Sequence, residues 1–174
     1  MTQLFMTHPG PLSALQLPPL AEGLELRAAG PDDESAIADV LAESFEEEWD
    51  VARVQAQLTE ASDVAVTWVV VRDGAILGVA SERLMPETYA DAGYVHYVGV
   101  ARSARGLRLG AVLTARCVLG FHERGLATAV LETDDFRVPA VITYLRLGFI
   151  PTYRSSDEQV AWSALLPTLF ATKP

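Results

Sequence analysis

Positive charge, cysteine and long hydrophobic runs are all in short supply in this sequence. Thirteen lysines and arginines face twenty-three aspartates and glutamates, for a formal net charge of −10. That balance argues against nonspecific binding to nucleic acid or to an anionic membrane surface. Lysine is nearly missing, with Lys173 alone against twelve arginines. Cys117 is the only cysteine, which excludes an intramolecular disulfide and a thiolate-rich metal site and fits a reducing cytoplasm. No stretch has the length and hydrophobicity of a membrane-spanning helix, and residues 1–23 lack both a basic segment and a continuous apolar one, so nothing addresses the chain to a membrane. No internal repeat is found.

What is present is enough apolar sequence for a substantial core. With 174 residues, half of them hydrophobic, the chain has the length of one domain. Residues 1–22, punctuated by Pro9, Pro11, Pro18 and Pro19, read as a loose or extended arm, and the domain is expected over 23–174. Within it, 24–29 alternates like a strand. Residues 30–45 place Pro31 and acids in a first turn and Ile37, Val40, Leu41 and Phe45 on one helical face. A second helix is expected over 50–61, after an acidic corner at 46–50. Residues 64–71 and 75–84 flank Asp73-Gly74 as a hairpin. A strand over 93–101 alternates Tyr94, His96, Val98 and Val100 on one side with Val95, Tyr97 and Gly99 on the other. A helix with Leu109, Val112, Leu113, Cys117 and Phe121 in one stripe, a strand over 127–133 and a helix carrying Ala140, Val141, Tyr144 and Leu145 follow. The segments 149–156 and 158–166 read as a closing strand pair. The order is that of a mixed α/β domain.

One corner is chemically conspicuous. The run "VGVARSARGLRLGA" over 98–111 carries Arg102, Arg105 and Arg108 from a strand into a helix. A helix start has unpaired N–H groups and the positive end of the helix dipole, and a glycine-containing turn lets an anion approach closely. The spacing is neither that of a P-loop nor that of a dinucleotide fingerprint. From the residues alone, a phosphate cradle and a merely solvated helix start both stay open.

The same run resembles the acyl-CoA-binding motif of the GNAT N-acetyltransferase superfamily, strand then V-x-P-x-x-[QR]-x-x-G-x-[GA] then helix. Val100, Arg105 and Gly110 take the valine, [QR] and last glycine places; Arg102 replaces the proline and Arg108 the middle glycine. A second stretch, 131–149, is similar to the family's later A-x-x-x-Y-x-x-x-G-F run through Ala140, Tyr144, Gly148 and Phe149, with Arg137 where many members have asparagine. The resemblance spans roughly residues 24–166.

The resemblance implies an α/β, GNAT-like fold: a mixed, mostly antiparallel sheet of about seven strands flanked by about four helices. It implies acetyl-CoA as acyl-donor cosubstrate, no metal, an amine acceptor attacking the thioester directly in a ternary complex, and a homodimer, as in many relatives. Cofactor contacts fall to the backbone near Val98 and Val100 and to the loop and helix start at Arg105, Gly106, Leu107, Arg108, Leu109, Gly110 and Ala111. Tyr144 matches the family's tyrosine that protonates the departing thiolate; its helical face suits a core tyrosine equally. His96 is the first candidate for the base, because its unperturbed pKa lies closest to neutral, and Glu82 the second. A strand histidine with a purely structural role is the competing reading, and a solvated turn is the competing reading of the acidic corner. The alternative function is a non-catalytic module that binds or senses acyl-CoA.

Overall fold

Seven strands form one sheet in the computed structural model, which describes residues 2–171. In chain order the elements are β1 (Gln3–His8), β2 (Glu25–Ala28), α1 (Glu34–Phe45), α2 (Val51–Val54), β3 (Val64–Arg72), β4 (Ala75–Leu84), β5 (Ala92–Val100), α3 (Leu109–Glu123), β6 (Thr128–Asp134), α4 (Val138–Arg146), β7 (Ile150–Thr152) and α5 (Ser156–Ala171). The spatial order is β2-β3-β4-β5-β6-β1-β7, and every pairing is antiparallel except β5 with β6. The expected α/β architecture is therefore present, with five helices rather than about four. Among the described residues no helix is long and apolar enough to cross a membrane.

Local chemistry explains most of the boundaries. Asp33 precedes α1, accepts the Gly30 N–H (2.8 Å) and pairs with Arg27, so the chain enters the helix already bonded. Ile37, Leu41 and Val54 then bury themselves completely against Val69 and Val79 of the sheet, each such side chain worth about 1.5–3 kcal/mol relative to exposure. Asp50 caps α2 by accepting the Arg53 N–H (2.8 Å). The helix widens into a π turn over Gln55–Thr59. Asp73 and Gly74 both have positive φ, the two-residue hairpin turn that joins strands of natural twist.

Three readings of the sequence are corrected. The arm expected over 1–22 contains β1, whose Leu4 and Met6 are fully buried and whose backbone pairs with β6 on one side and β7 on the other. Its apolar run, Leu4-Phe5-Met6, is short and followed by prolines, so only the long-range pairing reveals it. The stretch 158–166 is helical, not a strand: Ser155 Oγ accepts the Glu158 N–H (3.2 Å) at the start of α5, and Glu158, Trp162 and Leu165 share its buried face. The position beside β6 that a returning last strand would take is filled by β1.

The third correction concerns β5. Val79 pairs with Gly99 but Ser81 pairs with His96, so the strand holds one extra residue, and Tyr97 takes the left-handed φ of 46°. Strict alternation breaks there. His96 and Tyr97 lie side by side, ring centroids 4.0 Å apart, and Tyr97 packs beneath α1, while Val98 and Val100 join the core under α3 with Leu113, Leu131 and Tyr144. Bulges bend the strand that carries them, and β5 bends away from β6.

Candidate active site

β5 and β6 pair only through Ala92–Tyr94 and Thr128–Val130. Beyond Tyr94 the two parallel strands diverge, and the gap becomes a cleft. The Ala101 N–H donates back to Leu77 on β4 (2.9 Å), so by the two-residue period the peptide groups of Val98 and Val100 turn outward, into the gap. A cavity of about 590 Å³ follows this edge, lined by Val98, Val100, Arg105, Gly106, Gly110 and Tyr144 among others. A second cavity of about 230 Å³ continues deeper between the strands, past Phe45, His96, Glu132 and Asp134. The two meet on Val98, Arg137, Ala140 and Tyr144, which line both.

The arginine corner sits at the outer end of the larger cavity. The N–H groups of Arg105 and Leu107 are consumed inside the turn, bonded to Arg102 and Ala104 carbonyls. Those of Gly106, Arg108, Leu109 and Gly110 make no hydrogen bond among the described residues. Gly106 and Arg108 both have positive φ, at 87° and 59°, a backbone form that gathers successive N–H groups into an anion-binding concavity. Arg102 turns away: its N–H donates to Glu43 (2.8 Å) and its guanidinium reaches Glu43 and Glu46. Arg105 and Arg108 are exposed and have no ion-pair partner among the described residues. Ala111 is already spent on the helix, its N–H bonded to the Arg108 carbonyl (3.0 Å).

Tyr144 is 7 % exposed at the junction of the cavities, and burial pushes its phenol up to about 12, with the nearby Arg137 charge pulling the other way. The hydroxyl thus keeps its proton at neutral pH. His96 lines the smaller cavity; burial, and then the Arg83 charge, pull its imidazolium down to about 4, against a smaller opposing pull from Asp63. It is neutral at pH 7, a hydrogen-bond acceptor that holds a proton poorly.

Glu82 is not in the site. It lies next to His96's strand, opposite Val95, but on the other face of the sheet, 1 % exposed beneath α3. Its carboxylate accepts Trp68 Nε1 (2.6 Å) and Arg124 Nε (3.2 Å), and burial raises its pKa against those two partners. A Cβ at Gly120 would come within 1.9 Å of it, so α3 rests directly on this carboxylate. The parity of β4 decides the matter, since Ser81, not Glu82, faces the same way as His96. The acidic corner is structural as well: Glu47 pairs with Arg53, Asp50 caps α2, and Trp49 lies between the Arg53 guanidinium and the Tyr97 ring.

A splayed parallel strand pair, a helix start with free N–H groups and a buried tyrosine between them form one constellation, and residues 35–149 match the family described as Acetyltransferase (GNAT) family. The chain belongs to the GNAT acetyltransferase family. Relatives named mycothiol acetyltransferase occur in Sanguibacter keddieii, 33% identical over 154 residues covering 82% of this chain and 48% of the relative. The one from Cellulomonas flavigena is also 33% identical, covering 82% of this chain and 44% of its own. The chain thus spans about half the length of these curated relatives. Among solved structures, a GNAT acetyltransferase from Colwellia psychrerythraea superposes with a TM-score of 0.70 at 18% identity, covering 86% of this chain and 52% of the other. The ribosomal-protein-S18-alanine N-acetyltransferase from Escherichia coli reaches 0.64 at 16%, covering 77% and 86%.

Within this GNAT cleft the structure gives contacts to residues for which the sequence suggested no role. Ser44, at the end of α1, accepts the Val100 N–H (2.9 Å) and donates to the Val100 carbonyl (3.2 Å). Arg137 binds Asp134 (2.9 Å) and donates to the Ser44 carbonyl (3.0 Å), tying the start of α4 to the end of α1 across the cleft. Glu132 receives the Tyr94 hydroxyl (3.0 Å) and pairs with Arg154. Ser44 and Glu132 have no local signal, because their partners lie in other elements, and Arg137 has only Asp134 nearby, its bond to Ser44 spanning 93 residues.

Proposed function

We propose that this protein is an acetyl-CoA-dependent N-acetyltransferase acting on a primary amine. The observation that carries the reading is the placement of Tyr144, whose protonated side chain lines the meeting point of a long edge cavity and a smaller polar one. Acetyl-CoA lies along β5 in the larger cavity. Its pyrophosphate is received by the free N–H groups of Gly106, Arg108, Leu109 and Gly110 with the Arg105 and Arg108 guanidiniums, and its pantetheine amides align with the outward strand edge. No metal takes part in this reading.

The amine enters through the smaller cavity. Its nitrogen lone pair attacks the thioester carbonyl carbon, a C–N bond forms, and negative charge gathers on the carbonyl oxygen, where the outward N–H of Val98 stabilises it. The attacking nitrogen, cationic once the C–N bond has formed, gives its extra proton to solvent; collapse breaks the C–S bond, and the thiolate takes the Tyr144 proton, which solvent then restores. His96, neutral throughout, orients the free amine as a hydrogen-bond acceptor, and the ammonium sheds its proton to solvent before attack. The relatives' name, mycothiol acetyltransferase, makes free amines of the mycothiol type the first acceptors to test.

The test is thiol release. Acetyl-CoA with a panel of amines, led by the mycothiol-type acceptor, should liberate CoA thiol in proportion to acetylated product, and Tyr144→Phe should lose most of that rate. Tight acetyl-CoA binding with no thiol release from any amine would favour the module that holds acyl-CoA without turnover.

A further inference from the structure

The Ser44 hydroxyl occupies the groups that an amide-bearing ligand would use. On the exposed edge of β5, a peptide N–H and a peptide carbonyl of the same residue point into the cleft together, which is the pairing unit of an added strand or a linear amide. At Val100 both are taken by one side-chain oxygen, the N–H donating to Ser44 Oγ (2.9 Å) and Oγ donating to the carbonyl (3.2 Å). Main-chain groups in a buried cleft need partners, and here α1 supplies one from 56 residues away in sequence.

Two further features hold it there. Gly99 lets α1 lie on the strand: a Cβ at that position would sit 3.0 Å from Leu41 Cδ2 and 3.1 Å from Ser44 Oγ. Arg137, anchored on Asp134, grips the Ser44 carbonyl from the opposite wall. Ser44 also lines the larger cavity while its neighbour Phe45 lines the smaller one, so a shift of this helix end is felt in both.

We propose that Ser44 is a positioning residue that keeps the donor's place on β5, and that acyl-CoA binding displaces its hydroxyl from Val100. This rests on the assignment of acetyl-CoA to the larger cavity. Two hydrogen bonds to the free protein must be given up before two to the ligand are made, so the apparent affinity is lowered by the stability of the serine-bound state.

The experiment compares acetyl-CoA binding by wild type and Ser44→Ala in calorimetric titration, together with hydrogen exchange of the Val100 amide in both proteins, free and loaded. Removing the competing hydroxyl should tighten binding about three- to thirty-fold, the inverse of what loss of a mere structural contact would do. The Val100 amide should be protected in free wild type, exchange freely in Ser44→Ala, and be protected again in both once acetyl-CoA is bound. Equal or weaker binding by the variant overturns the displacement while leaving the donor assignment standing. So does a Val100 amide that stays unprotected in the loaded variant. Failure of both proteins to bind acetyl-CoA overturns the donor assignment itself.

Discussion

The two cavities of the cleft are built by opposite means. The larger one takes its main-chain groups from a single run, the edge of β5 and the loop entering α3, and meets side chains of α1 and α4, Ser44, Thr143 and Tyr144 among them, only along its other wall. The smaller one collects side chains from β1, α1, β5, β6 and α4, with Gln3, Phe45, His96, Glu132 and Arg137 as representatives. Main-chain groups present the same chemistry whatever the side chains are, so a binding site made of them tolerates substitutions such as Arg108 for glycine. A site made of scattered side chains changes whenever one element shifts. On the proposed assignment of acetyl-CoA to the larger cavity, the donor end of the cleft is held to one ligand class while the acceptor end is free to diverge.

The largest expected effect lies at the point where the two regions touch. Tyr144→Phe removes the proton donor and keeps the ring, and kcat should fall about 10²–10⁴-fold, the range for general acid catalysis, with KM for acetyl-CoA altered far less. Steady-state kinetics decide it, and a kcat within about threefold of wild type would return Tyr144 to the core.

On the donor side, Arg105→Ala should weaken acetyl-CoA binding about tenfold through loss of one charge-assisted contact. Arg102→Ala should change it by less than about twofold, because Glu43 and Glu46 already hold that side chain. Equal losses at both positions in a titration would mean that the corner acts as diffuse charge and not as a shaped loop.

The acceptor side is tested through pH. The His96 imidazolium is destabilised in the folded protein, at about 4 against an ordinary value of 6.5. The unfolded chain binds that proton first, so this group's contribution to stability is complete above pH 6.5 and is lost as pH falls towards 4. Denaturant unfolding of His96→Gln should show a shallower loss over that window than wild type, and parallel curves would mean that the imidazole is protonated at its ordinary pH. The smallest effect belongs to the loop. Arg108→Gly relieves a left-handed residue and should stabilise by about 1 kcal/mol, raising Tm by about 2–4 °C, while removing one phosphate contact.

Legibility in the sequence followed the same division. The loop at 105–110, the hairpin at Asp73-Gly74, the faces of α1 and α3, and Tyr144 each depend on residues near one another in the chain, and their spacing is visible without coordinates. β1 and α5 depart from the sequence expectation because local pattern is ambiguous where pairing partners decide: Leu4, Phe5 and Met6 look like an isolated apolar run until β6 and β7 flank them. Glu82, the second candidate for the base, lies on the strand next to His96 but on the other face of the sheet, a difference of strand parity that spacing along one segment does not show.

By itself the sequence determined most of the element types between residues 24 and 147, the glycine-containing turn at a helix start and the resemblance to the family, since propensity, capping and glycine placement act over a few residues. Only the tertiary structure decided that β5 bulges at Tyr97 and leaves β6, that Ser44 and Arg137 close over the exposed strand edge, and that His96 and not Glu82 reaches the cleft. Those outcomes rest on register and on contacts between distant segments, where a shift of one residue turns a side chain to the opposite face.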